Sequence, residues 1–137
     1  MSECKDRSLA AERARFAYAE VASWGKVLQK AAPPLSRGLP VQVRIQGLQV
    51  TVATLMRSNT AEARELADLL ARWLLDRGPR RVFDPDRVPD ASSHAARLLG
   101  ACVEADRASY LAARTEAIAF LDQVKVYADA LYKKGAP

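Results

Sequence analysis

Apolar positions recur at steps of three and four along most of this chain, the spacing that places them on one face of a helix. The first such stripe is Ala10, Ala14, Ala17, Val21, Trp24, Leu28 and Ala31, which predicts a helix from about Ser8 to Ala32 with Ser8 as its N-cap. Pro33-Pro34, followed by Ser36-Arg37-Gly38, predicts its end, because proline has no N–H and disfavours helical geometry in the residue before it.

The stretch from Val41 to Met56 carries two patterns at once. Val41, Val43 and Ile45 alternate with polar residues, as do Leu48, Val50 and Val52, and Gln46-Gly47 between them suits a hairpin turn. Val41, Ile45, Leu48, Val52 and Leu55 also step by four and three, with Pro40 at a first helical position. The β-branched content leans towards the hairpin, although a lone hairpin in a helical chain is marginal. The pattern alone leaves both readings open.

Beyond it the signals are cleaner. Thr60 caps a predicted helix through about Arg77, with Glu62 and Glu65 near its positive end and Ala63, Leu66, Leu70 and Trp73 as its inner stripe, widened by Leu69 and Leu74. Gly78-Pro79 stops it, and residues 78–90, with Pro79, Pro85, Pro89, Arg80, Arg81 and Arg87, read as the one long loop. Asp90 or Ser92 starts a shorter helix to about Cys102. A last long helix runs from after Asp106 to about Lys133, striped by Tyr110, Ala117, Phe120, Val124, Tyr127 and Leu131. Glu104-Ala105-Asp106 reads either as a break or as a bend. Trp24, Trp73, Phe120 and Tyr127 are assigned to the core, and Phe16, Tyr18, Tyr110 and Tyr132 to partly exposed positions.

Composition agrees with helix and narrows the chemistry. The chain has 137 residues, half of them hydrophobic and 27% charged, which suits one soluble domain over 1–137. Residues 1–7 and 135–137 read as frayed tails. Two Cys and one His exclude a disulfide scaffold or a zinc ribbon. The charged start is unlike a signal peptide and no apolar run is long enough for a membrane span, so the expected place is the cytoplasm, without membrane contact. There is no phosphate-binding glycine loop, nucleophile elbow or paired-His helix. His94 has no partner pattern, and no catalytic residue, metal ligand or cofactor is expected.

Charge is the sharper feature. Lys and Arg number 21 against 16 Asp and Glu, a formal surplus of +5. No acid occurs between Glu20 and Glu62, whereas Lys26, Lys30, Arg37, Arg44 and Arg57 do. Such a stretch forms either a basic face for a nucleic-acid backbone or a solvated surface of no special use. Arg77, Arg80 and Arg81 form a second cluster.

Three pieces of sequence carry a family resemblance. The first is Arg13-Ala14-Arg15-Phe16-Ala17-Tyr18 with Val21. The second is Leu39-Pro40, Ile45-Gln46-Gly47-Leu48 and Thr51-Val52-Ala53. The third is Tyr110, Thr115-Glu116-Ala117-Ile118, Val124-Lys125 and Tyr127-Ala128. In order and spacing they resemble the small helical subunit of the type III-B CRISPR effector, the Cmr complex. Gln46, Gln123 and Val126 depart from that family's usual Asn, Trp and Arg.

The resemblance implies an all-α fold, a compact bundle of five or six helices, and therefore a helix at about 40–57 with Gly47 inside it, kept small by close helix packing. It implies a non-catalytic subunit that stacks with copies of itself in a short filament. It also implies as partners the other subunits of the complex, the guide RNA and the target RNA. The competing reading is a helical protein–protein module or dimeric regulator that binds no nucleic acid.

Overall fold

A computed structural model of the chain describes residues 8–77 and 82–132. Six α-helices account for most of them: α1 Leu9–Ala22, α2 Lys26–Gln46, α3 Leu48–Ser58, α4 Ala61–Arg72, α5 His94–Glu104 and α6 Arg107–Tyr132. The described residues contain no strand, so the fold is all-α. A π-helical turn, Trp73–Arg77, extends α4, and a 3₁₀ turn, Pro85–Arg87, lies in the loop before α5.

The caps show why several of these helices start where they do. Ser8, Thr60 and Ser93 each accept a hydrogen bond from the backbone N–H three residues on, satisfying a donor that the first turn leaves free. Asp106 does the same for Ser109 at 2.8 Å, and that hydrogen bond holds its carboxyl below the usual carboxylate range. The chain leaves the helix at Ala105, so Glu104-Ala105-Asp106 is a true break.

The first predicted boundary is misplaced. The expected helix from Ser8 to Ala32 ends at Ala22, where Ser23 Oγ donates to the Glu20 carbonyl at 2.7 Å. Tyr132 seals this corner: its hydroxyl donates to the Val21 carbonyl at 2.7 Å, and its ring stacks on Trp24. Pro33, Pro34 and Pro40 lie inside α2 instead of ending a helix. Each removes one i→i−4 donor, from the carbonyls of Gln29, Lys30 and Ser36. Pro33 and Pro40 are buried, and Ser36 Oγ, also buried, bonds the Pro33 carbonyl at 2.9 Å, so packing offsets the missing bonds.

The Val41–Met56 stretch is helical, but it is not one helix. Gly47 sits between α2 and α3 with φ of 90°, a conformation that L side chains rarely adopt. A Cβ here would also lie 2.9 Å from the Tyr110 hydroxyl. The glycine therefore serves both a turn and a close approach, outside the helices and not within one. Thr51, fully buried, donates its hydroxyl back to the Gly47 carbonyl at 2.8 Å.

The core gathers around α6. Helices α1 and α2 flank it, and α4 joins α2, α3 and α5. Trp73 stacks on Phe120 at 5.4 Å between ring centroids, and Phe16 stacks on Trp73 at 5.6 Å. Phe16 is thus a core residue and not a partly exposed one. Tyr18 is exposed and packs edge-on against Tyr127; Tyr110 and Tyr132 are half-buried.

Candidate nucleic-acid interface

Four of the five predicted cations share one face of one helix. Lys26, Lys30, Arg37 and Arg44 are separated by four, seven and seven positions on α2, so they form a single row along its outer side. All four are exposed. Arg57 is exposed as well, but it lies in the last turn of α3, beyond the Gly47 junction.

The row is not uniform electrostatically. Arg37 Nε bonds Asp129 Oδ1 at 3.0 Å, and Arg44 Nη2 lies 3.6 Å from Asp122 Oδ2. Both carboxylates stand on α6, seven positions apart like their partners, because α6 packs along α2 in the opposite direction. Arg114 joins this seam by donating to the Arg44 carbonyl at 3.1 Å. The segment that is free of acid in sequence therefore acquires two carboxylates in space. These half-exposed pairs contribute little to stability, but they neutralise part of the row.

Lys26, Lys30 and Arg57 have no ion-pair partner among the described residues. Lys26 is the first residue of α2, whose first turn contains no acid. A cation at the positive end of a helix opposes the dipole, so it contributes nothing local to helix stability. The Arg44 and Arg57 positions suit the dipole at their helix ends and need no functional explanation. Arg80 and Arg81 lie outside the described residues, as does the Arg77 side chain.

Beside the cations, α2 exposes a second row. Val27, Pro34, Val41 and Ile45 face solvent, with Val27 68% and Ile45 80% exposed. The helical stripe read from the sequence placed Val41 and Ile45 inward; the core instead takes Val43, Leu48, Val52 and Leu55.

The other charged clusters are structural. Arg72 reaches Glu20 at 2.9 Å and Asp68 at 2.8 Å, lies 3.9 Å from Glu65, and sits over the Phe16 ring, tying α4 to α1. Hydrogen bonding to Glu20 raises its pKa. His94 is half-buried; its Nδ1 makes no hydrogen bond and lies 3.8 Å from Asp76, which also faces Arg97. Cys102 is buried in apolar surroundings, and burial pushes its thiol up to about 12. No group of His, Cys, Asp or Glu among the described residues is arranged to hold a metal ion. No helix among them is long and apolar enough to cross a membrane.

A protein-family model described as CRISPR-associated protein (Cas_Cmr5) matches residues 9–131. The chain belongs to that family. It is accordingly a subunit of the type III-B Cmr complex and associates with the other subunits of that complex. None of the curated proteins and none of the solved structures matches the chain.

The Cmr assignment gives a meaning to the three sequence pieces that first suggested it, because they meet in the fold. Arg13 of the first contacts Glu116 of the third, and Gly47 of the second packs against Tyr110 of the third. The carboxylates of the α2–α6 seam were missed in the sequence. The signal that could have found them was the matched spacing of Arg37 and Arg44 with Asp122 and Asp129.

Proposed function

We propose that this chain is one helical domain over 1–137 that acts as the non-catalytic small subunit of the Cmr effector in the cytoplasm. Copies of it stack in a short filament, and Lys26, Lys30, Arg37, Arg44 and Arg57 help hold the guide–target RNA. The observation that carries the reading is the family match over residues 9–131. The row of cations on the outer side of α2 supports the role in RNA binding, since a phosphate backbone is held by placed charge and needs no catalytic group.

The apolar row of Val27, Pro34, Val41 and Ile45 supports protein contacts on the same helix. It also favours the second reading, a helical protein–protein module that binds no nucleic acid. The two differ in salt dependence. Phosphate binding weakens steeply as salt rises, and apolar docking does not.

Affinity purification of the tagged chain from its native cell, with mass spectrometry and RNA sequencing, tests the proposal. Guide RNA and effector subunits are expected together. Effector subunits recovered without any RNA would support the second reading.

A further inference from the structure

Helix α2 carries two apolar features, one at each end. At its start, Val27 and Leu28 line a groove of about 600 Å³ together with Met56, Ala61, Ala67 and Ala95 of α3, α4 and α5. At its end, Val41 and Ile45 stand one turn apart on the outer ridge, and Ile45 is 80% exposed. Val27 and Ile45 lie about 27 Å apart at 1.5 Å of rise per residue, so a chain cannot lay this ridge in its own groove.

The charges beside the two features are opposite in sign. Of the charged residues that line the groove, Arg64 is turned to Asn59, bonding its side-chain oxygen at 2.6 Å. The other two, Glu65 and Asp68, share the single guanidinium of Arg72 with Glu20. Three carboxylates thus meet one cation, and the groove wall has negative charge to spare. At the ridge the surplus is positive. Arg44 adjoins Ile45, and Arg114 donates to the Arg44 carbonyl at 3.1 Å. Arg44 lies near Asp122, whereas Arg114 has no carboxylate partner among the described residues.

We infer that the Val41–Ile45 ridge of one copy seats in this groove of the next, with Arg114 facing Glu65 and Asp68. The inference rests on the stacking reading above and adds to it the two faces that meet. Apolar residues at i and i+4 are the usual anchors of a helix docked in a groove. Arg114 gives the surplus carboxylates a counter-charge that their own chain lacks, which an uncharged apolar segment would not. A ridge at one end and a groove at the other make a heterologous contact, which repeats without closing and builds a filament instead of a dimer.

The test is cross-linking in Cmr complexes reconstituted with a Cys4→Ser chain that carries Val27→Cys and Ile45→Cys, both at exposed positions. A short bis-maleimide is expected to join copies through one cysteine of each kind and give a ladder of linked oligomers. Either substitution alone is expected to give none. Two further changes are then added to the doubly substituted chain. Ala61→Trp fills the groove from an exposed position in the first turn of α4, and Arg114→Glu sets an acid against the acids of the groove. Each is expected to lower the yield of linked copies about tenfold, with helix content by circular dichroism unchanged.

If native mass spectrometry finds several copies in each complex but no cross-link joins them, the copies meet through other faces. This inference then fails and the stacking reading stands. If each complex holds a single copy, the stacking reading fails and the inference falls with it. Linked dimers from one substitution alone, or a link from position 45 to a different effector subunit, would also overturn the inference.

Discussion

The Arg13 guanidinium holds both oxygens of Glu116, at 2.6 and 2.8 Å, and the Trp73 indole N–H donates to the same carboxylate at 2.8 Å. One carboxylate on α6 thereby fixes α1 and the end of α4, and hydrogen bonding to it raises the pKa of Arg13. Little of either charged side chain reaches solvent, so removing one partner leaves the other desolvated and unpaired. Glu116→Leu should destabilise the chain by about 2–4 kcal/mol in urea unfolding. Arg13→Met combined with Glu116→Leu should cost clearly less than the sum of the two single changes. Additive costs would show that the pair does not act as a unit.

Gly47 and Tyr110 make a similar prediction through shape. Gly47→Ala forces a Cβ into a left-handed conformation and against the Tyr110 hydroxyl, which accepts from the Gln49 N–H at 3.1 Å. A loss of about 2–3 kcal/mol is expected. In a Tyr110→Phe background the clash with the hydroxyl disappears and only the backbone strain remains, so Gly47→Ala should cost less there. Equal costs in both backgrounds would assign the whole effect to φ.

The α2–α6 seam predicts a gain in function. Asp122 and Asp129 neutralise Arg44 and Arg37. Replacing both acids with Asn should tighten binding of the assembled complex to target RNA and steepen its salt dependence, as the freed cations take up two phosphates. An unchanged affinity would remove Arg37 and Arg44 from the interface.

Cys102 offers a check on packing. A buried thiol with its pKa pushed up to about 12 carries almost no thiolate at neutral pH. In a Cys4→Ser background a thiol reagent should therefore label the native chain far more slowly than the unfolded one. Equal rates would show that α5 opens readily.

The sequence made the caps of α1 and α4 legible, missed Ser93 at the start of α5 in favour of Asp90 or Ser92, and hid the features that depend on tertiary packing. Ser8 and Thr60 announced their helices because capping is a local bond between neighbours. Pro33-Pro34 misled because a proline's cost is local, whereas the burial of Pro33 and the Ser36 hydroxyl that offset it belong to the folded bundle. The apparent β alternation of Val41, Val43 and Ile45 was a genuine inside–outside signal with a different cause. Val43 enters the core, and Val41 and Ile45 stand on the outer ridge of a helix. The cations were legible as an acid-free segment, but their alignment in one row was not, because it needs α2 to run on through Pro33 and Pro34. Nor was the row's partial neutralisation, since Asp122 and Asp129 come from the other end of the chain.

Cations on α2 are proposed to hold RNA within the Cmr complex. The direct measurement is target-RNA affinity against salt for complexes reconstituted with the native chain or with Lys26→Gln, Lys30→Gln and Arg37→Gln together. Equal assembly, weaker target binding and a salt slope smaller by about one for each phosphate left without its cation are expected. The same affinity and the same slope in a fully assembled complex would contradict that role.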